Sequence, residues 1–199
     1  MGFGLVFLGY LSLFFFRIIP IDIPGFAVMA AGFYKLSIQN KFFKYDFFLS
    51  CFMFLYAVFS GVIQILGIAG IPVNFASGDF FVTADNIIYH SGLFALHVLM
   101  YFGIFKMSEQ IGFDKGKSKS RYACISAFIY TIAAVIYAIL PQKLVFLYIP
   151  ATVFGIAWYV YSACLIYSCY MNIATEEMLL KEKKKLERPD FLKPREKRK

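Results

Sequence analysis

His90 and His97 are the only two imidazoles in the 199-residue chain. They share a helical face with Asn86 and Tyr101. The four stand at i, i+4, i+11 and i+15, which at about 100° per residue falls within a band of roughly 60°. Such a stripe offers proton exchange and hydrogen bonding along most of a helix. On a neighbouring segment Tyr56, Ser60 and Gln64 form a similar stripe, and Gln64 joins the candidate polar face. Two further segments repeat the pattern, one with Ser126, Tyr130 and Tyr137, the other with Tyr148, Thr152, Gly155, Tyr159 and Ser162. Two readings stand: a polar cavity with His90 and His97 as its titratable members, or helix packing glued by hydroxyls and by close approach at Gly155. Metal catalysis fits poorly. The two histidines lie two turns apart, and Asp85 is the one nearby acid. Haem fits no better, since each imidazole would need its own axial partner. No metal and no cofactor is expected.

The stretch RIIPIDIP, Arg17 to Pro24, is a second place where chemistry could reside. Arg17 and Asp22 carry opposite charges beside two prolines. Proline lacks a backbone N–H and clashes with the preceding turn, so Pro20 and Pro24 end one helix and help start the next. In one reading Arg17 and Asp22 form an interfacial ion pair at a tight turn, reaching water or headgroups. In the other they dip into the bundle and pair with each other or with another helix, since charge inside a bilayer is costly and usually functional.

The elements that must hold these groups are apolar. Sixty per cent of the residues are hydrophobic, with 25 Phe and 14 Tyr, against about 45–50% apolar in globular domains. Six runs recur: about Gly2 to Phe16, Ile23 to Ile38, Asp46 to Ile68, Asn86 to Phe105, Tyr122 to Leu140 and Leu144 to Tyr170. A crossing helix needs about 20 residues, within a range of about 17–25, so the first two are short. The pattern predicts an all-α, polytopic membrane helical bundle of about six transmembrane helices over residues 1–171. A basic tail follows over 172–199, helical through TEEMLLKEKKKLE and irregular after Arg188-Pro189. Arg17 follows the first apolar run instead of preceding it, so that run reads as a retained helix and not as a cleaved leader. The three-plus-three arrangement would allow an inverted repeat, but the halves show no convincing residue-level similarity.

Charge sets the orientation. The last turn of the second run with its Lys35, the connections after the second and fourth runs, and the tail hold 18 of the 20 Lys and Arg. The positive-inside rule then places both termini on the cytoplasmic side of the membrane and the loop bearing Asp79 outside. The tail, with ten basic residues from Lys181 on, would lie against anionic lipid at about 1 kcal/mol per basic residue near the surface. Nucleic acid is not the expected partner. A membrane-protein partner or a second copy of the chain is. Cys51, Cys124, Cys164 and Cys169 read as small packing residues, in a compartment where a structural disulfide is not expected.

The segments GFGLVFLGY, IDIPGFAVMAAGFYKL and NKFFKY resemble a group of small uncharacterised multi-pass membrane proteins from low-GC Gram-positive bacteria. Gly9-Tyr10, Asp22, Pro24 and Lys35-Leu36 stand at matching places. Gly25 stands where that group usually has a second Asp, which weakens any paired-acid role here. The resemblance covers roughly the first 45 residues. It implies location and source, and no activity.

There is no phosphate-binding glycine loop, no Ser-His-Asp order and no nucleophile elbow. The expected role is that of a non-enzymatic integral membrane protein: an accessory, sensor or partner-binding subunit. The alternative is a small transporter or channel with a polar path near His90, His97 and Gln64. An intramembrane enzyme comes third, and would need His90, Asp85 and a further ligand in one place.

Overall fold

A computed structural model describes residues 2–15, 22–70, 79–139 and 148–173. Among these the chain is all helical: α1 (Gly2–Phe15), α2 (Asp22–Leu36), α3 (Lys41–Ile68), α4 (Asp79–Gln110), α5 (Asp114–Ile139) and α6 (Tyr148–Asn172). Three of them contain stretches long and apolar enough to cross a membrane, Lys41–Ile68, Thr83–Gln110 and Ile149–Asn172, while Gly2–Leu13 is a shorter apolar helix. The expectation of six spans is thus met in helix number, with span length and hydropathy reached in three. Arg17, Pro20, Lys143 and the basic tail lie outside the described residues, as do the side chains of Asp79, Tyr137 and Tyr148.

Three helices begin well before the apolar runs suggest. α3 starts at Lys41 instead of Asp46, because Asn40 caps it. Asn40 has extended backbone (φ −150, ψ 135), and its side chain accepts from Phe42 N–H at 3.0 Å, satisfying one of the free donors of the first turn. α5 starts at Asp114, so its charged first turns are helical, and α4 extends past the apolar run at both ends. Glycines in left-handed conformation stop two helices. Gly70 (φ +73) follows α3 and Gly112 (φ +70) follows α4. At the second stop Phe113 N–H donates back to Ser108 O at 2.8 Å, the closing bond of a Schellman turn.

Each helix packs against its neighbours in sequence, and α6 closes the ring against α1. Directions alternate. Met53 of α3 meets Gly92 of α4 while Phe43 meets Gly103. Phe7 of α1 lies by Tyr167 of α6 while Tyr10 lies by Tyr159. The tightest pairing is α1 with α2. A Cβ on Gly9 would lie 2.6 Å from Gly25 O and 2.7 Å from Met29 N, and one on Gly32 would lie 2.7 Å from Val6 N. Gly2 and Gly9 are seven apart, as are Gly25 and Gly32, so small residues recur on the facing sides and the backbones touch.

The buried face of α3 runs Phe43, Asp46, Ser50, Met53, Ala57 and Gly61. Its opposite face exposes Phe48, Phe52, Leu55, Phe59, Val62 and Ile65. An outward surface of that composition suits hydrocarbon better than water.

Candidate functional site

The interior of the ring holds a polar and aromatic cluster built from α1, α4 and α6. His97 has no exposed surface. Its Nδ1 lies 2.6 Å from Leu93 O and its Nε2 lies 3.2 Å from the Tyr10 hydroxyl. A carbonyl can only accept, so Nδ1 carries a hydrogen. In the neutral imidazole Nε2 then accepts from Tyr10. Ser162 Oγ donates its one hydrogen to Trp158 O at 2.8 Å. Tyr101 must therefore be the donor in its 2.5 Å contact with Ser162 Oγ. Rings complete the shell. Tyr10 stacks on Tyr159 with centroids 4.4 Å apart, and His97 sits 4.6 Å from Trp158.

From this centre aromatic contacts lead to one end of the bundle. Trp158 stacks on Tyr130 at 5.0 Å, and Tyr130 meets His90 edge-on at 6.2 Å. Here a cleft of about 230 Å³ opens between α4, α5 and α6, lined by Tyr89, His90, Tyr130, Thr152, Gly155 and Trp158 among others. Two acids lie at the same end, each held by a tyrosine from another helix. Tyr89 donates to Asp22 Oδ2 at 2.9 Å. Tyr56 bonds Asp85 through both the carboxylate and the backbone carbonyl, the latter at 3.0 Å.

The residues singled out in the sequence separate into three groups. His97 and Tyr101 are buried at the centre, with Ser162 and Gly155 of the sixth-segment stripe also inward. Asn86 and His90 are half-buried toward the cleft end. Gln64 does not join them. It lies in line with the buried stripe of α3, but beyond Gly61, the last buried residue of that helix, and its side chain is exposed. The expected pairing of Arg17 with Asp22 lies outside the described residues. The described partner of Asp22 is Tyr89, so the acid faces another helix instead of standing at a bare turn.

Sequence reasoning missed Tyr10 and Trp158. Tyr10 sits inside an apolar run with no polar periodicity around it. Trp158 adjoins the predicted Gly155–Tyr159–Ser162 face, and that adjacency could have flagged it. Among the described residues no three His, Cys, Asp or Glu side chains come together as metal ligands. The cysteines lie apart: Cys51 and Cys124 half-buried, Cys164 exposed, Cys169 buried.

No family model, no curated protein and no solved structure matches the chain.

Proposed function

We propose that this is a multi-pass protein of the bacterial cytoplasmic membrane, that all six helices cross the bilayer, and that it serves as a non-enzymatic accessory, sensor or partner-binding subunit. Three helices supply full-length apolar stretches. α1 and α2, at 14 and 15 residues, reach only about 21–23 Å at 1.5 Å per residue, against a hydrocarbon core of about 30 Å. They cross as a backbone-to-backbone hairpin that draws the bilayer inward, at a modest cost per ångström of mismatch. The charge asymmetry supports cytoplasmic termini, and the basic tail supports contact with anionic lipid. The likeness of the first 45 residues to small Gram-positive membrane proteins agrees with that setting.

The observation that carries the role is the state of His97. Both ring nitrogens have partners and its side chain has no exposed surface. Polar groups so enclosed hold helices together. Two experiments test the proposal. Single-cysteine labelling with an impermeant reagent in intact cells should reach position 79 and spare position 117, and the reverse would overturn the topology. In native-membrane gels the chain should migrate within an assembly larger than the detergent-purified protein. Migration as a lone chain would count against a partner-binding role.

The cleft beside His90 favours a second reading, a small transporter or channel. In that case purified protein in vesicles should support flux that His90→Leu and His97→Leu both abolish.

A further inference from the structure

Asp46 lies five residues inside α3, on its buried face, with no exposed surface. Neither carboxyl oxygen has a hydrogen-bond partner, and no basic side chain among the described residues forms an ion pair with it. Ser50 lies one turn further on the same face. Its Oγ is likewise buried without a partner. Toward the start of the helix, one turn away on the same face, Phe43 is also fully buried. Its ring meets Phe3 edge-on at 5.8 Å and stacks with Phe33 at 6.2 Å. Gly103 of α4 passes so close that a Cβ there would lie 2.7 Å from it.

Among the described residues the neighbouring helices bring no compensating charge. The buried residues of α2 are all apolar or glycine, its Lys35 is exposed, and its Asp22 lies at the opposite end by Tyr89. On α4 the buried titratable groups are His97 and Tyr101. They are engaged with Tyr10 of α1 and Ser162 of α6. An isolated carboxylate in such surroundings costs many kcal/mol, and a group so placed neutralises instead. A divalent cation would need about six oxygen ligands, whereas this face supplies two from Asp46 and one from Ser50. A proton needs one.

We propose that Asp46 is a reversible proton-binding site in the bundle. Its carboxyl carries a proton while the layer of Phe3, Phe33 and Phe43 is closed and exchanges it when that layer opens, with Ser50 Oγ one turn away as a polar neighbour on the route. Proton uptake converts COO⁻ and H⁺ to COOH and needs no other reactant. The site is distinct from the His97 cluster and stands whether or not the chain binds a partner.

Infrared difference spectroscopy of the full chain in lipid nanodiscs, in H₂O and D₂O at neutral pH, tests this. A carboxylic-acid C=O band should be present in the wild type, absent in Asp46→Asn and retained in Asp22→Asn and Asp85→Asn. Its shift in D₂O should be several-fold faster in Phe43→Ala. Absence of the band from the wild type, or its survival in Asp46→Asn, would overturn the proposal. Should Asp46→Asn fail to fold, wild-type protein labelled with ¹³C at the aspartate carboxyls gives the same reading. One aspartate carbon with the shift of a protonated acid, retained when the Asp22→Asn and Asp85→Asn variants are labelled in the same way, supports the site, and none overturns it.

Discussion

The hydroxyl of Tyr89 donates to Asp22 Oδ2 at 2.9 Å across 67 positions of sequence, tying the first residue of α2 to α4. The bond fixes the end of the α1/α2 hairpin against the helix that carries both histidines. Tyr89→Phe should cost about 1–3 kcal/mol, the range for losing a hydrogen bond at a partly buried polar group. In a double-mutant cycle with Asp22→Ala, read by thermal unfolding in detergent, the two changes should couple. Strict additivity would show that the contact does not stabilise the protein.

Tyr10 and His97 form a buried pair in which removing either breaks the hydrogen bond at Nε2. Tyr10→Phe and His97→Leu should each destabilise by about 1–3 kcal/mol, and the double variant should cost less than the sum, because replacing both partners by apolar groups is nearly neutral. Unfolding of the three variants checks this. A double variant as costly as the sum would mean that the two side chains act separately.

Two glycines should respond in opposite ways to the same change. Gly9→Ala drives a methyl into Gly25 O and Met29 N, which are backbone atoms with no rotamer to yield. It should cost several kcal/mol or prevent folding, beyond the roughly 1–3 kcal/mol of ordinary overpacking. Gly67, in the last turn of α3, has nothing within 4 Å of the added carbon, and Gly67→Ala should be neutral or stabilise by up to about 1 kcal/mol. Equal melting temperatures for the two variants would refute the assigned packing.

Asn40→Ala removes the side chain that caps α3. A loss of about 0.5–2 kcal/mol is expected, with Asn40→Asp retaining most of the stability. Indifference to both would show that the first turn of α3 contributes nothing measurable.

The helix count and much of the central face were legible in the sequence because both rest on periodicity. His97, Tyr101, Gly155 and Ser162 recur at steps that keep them on inward faces, and the structure buries all four. Gln64 shows the limit of that signal. Angle along a helix says which side a residue takes, but not whether a neighbour reaches that level. Asp46 shows another. Read as the first residue of an apolar run, it resembles an interfacial acid. Once the Asn40 cap moves the start to Lys41, the same residue falls within the helix, on a stripe with Phe43, Ser50 and Met53. Its burial depends on α2 and α4, which local spacing cannot reveal. Tyr10 was hidden for the same reason, since its partners lie 87 and 149 positions away, at His97 and Tyr159.

The glycine contacts between α1 and α2 also decide which motions that hairpin retains. Where backbones touch at Gly9 and Gly32, turning either helix about its own axis would bring a side chain into a gap that admits only hydrogen. Spin is thereby removed as a degree of freedom, and sliding meets the same obstacle seven residues along. What remains is tilting of the pair as one rigid lever. One end of that lever is bound to α4 through Asp22 and Tyr89. The other continues through the short turn at Asn40 into α3, so a tilt set at one end of the bundle is delivered at the opposite end, where Phe43 and Asp46 share the buried face of α3.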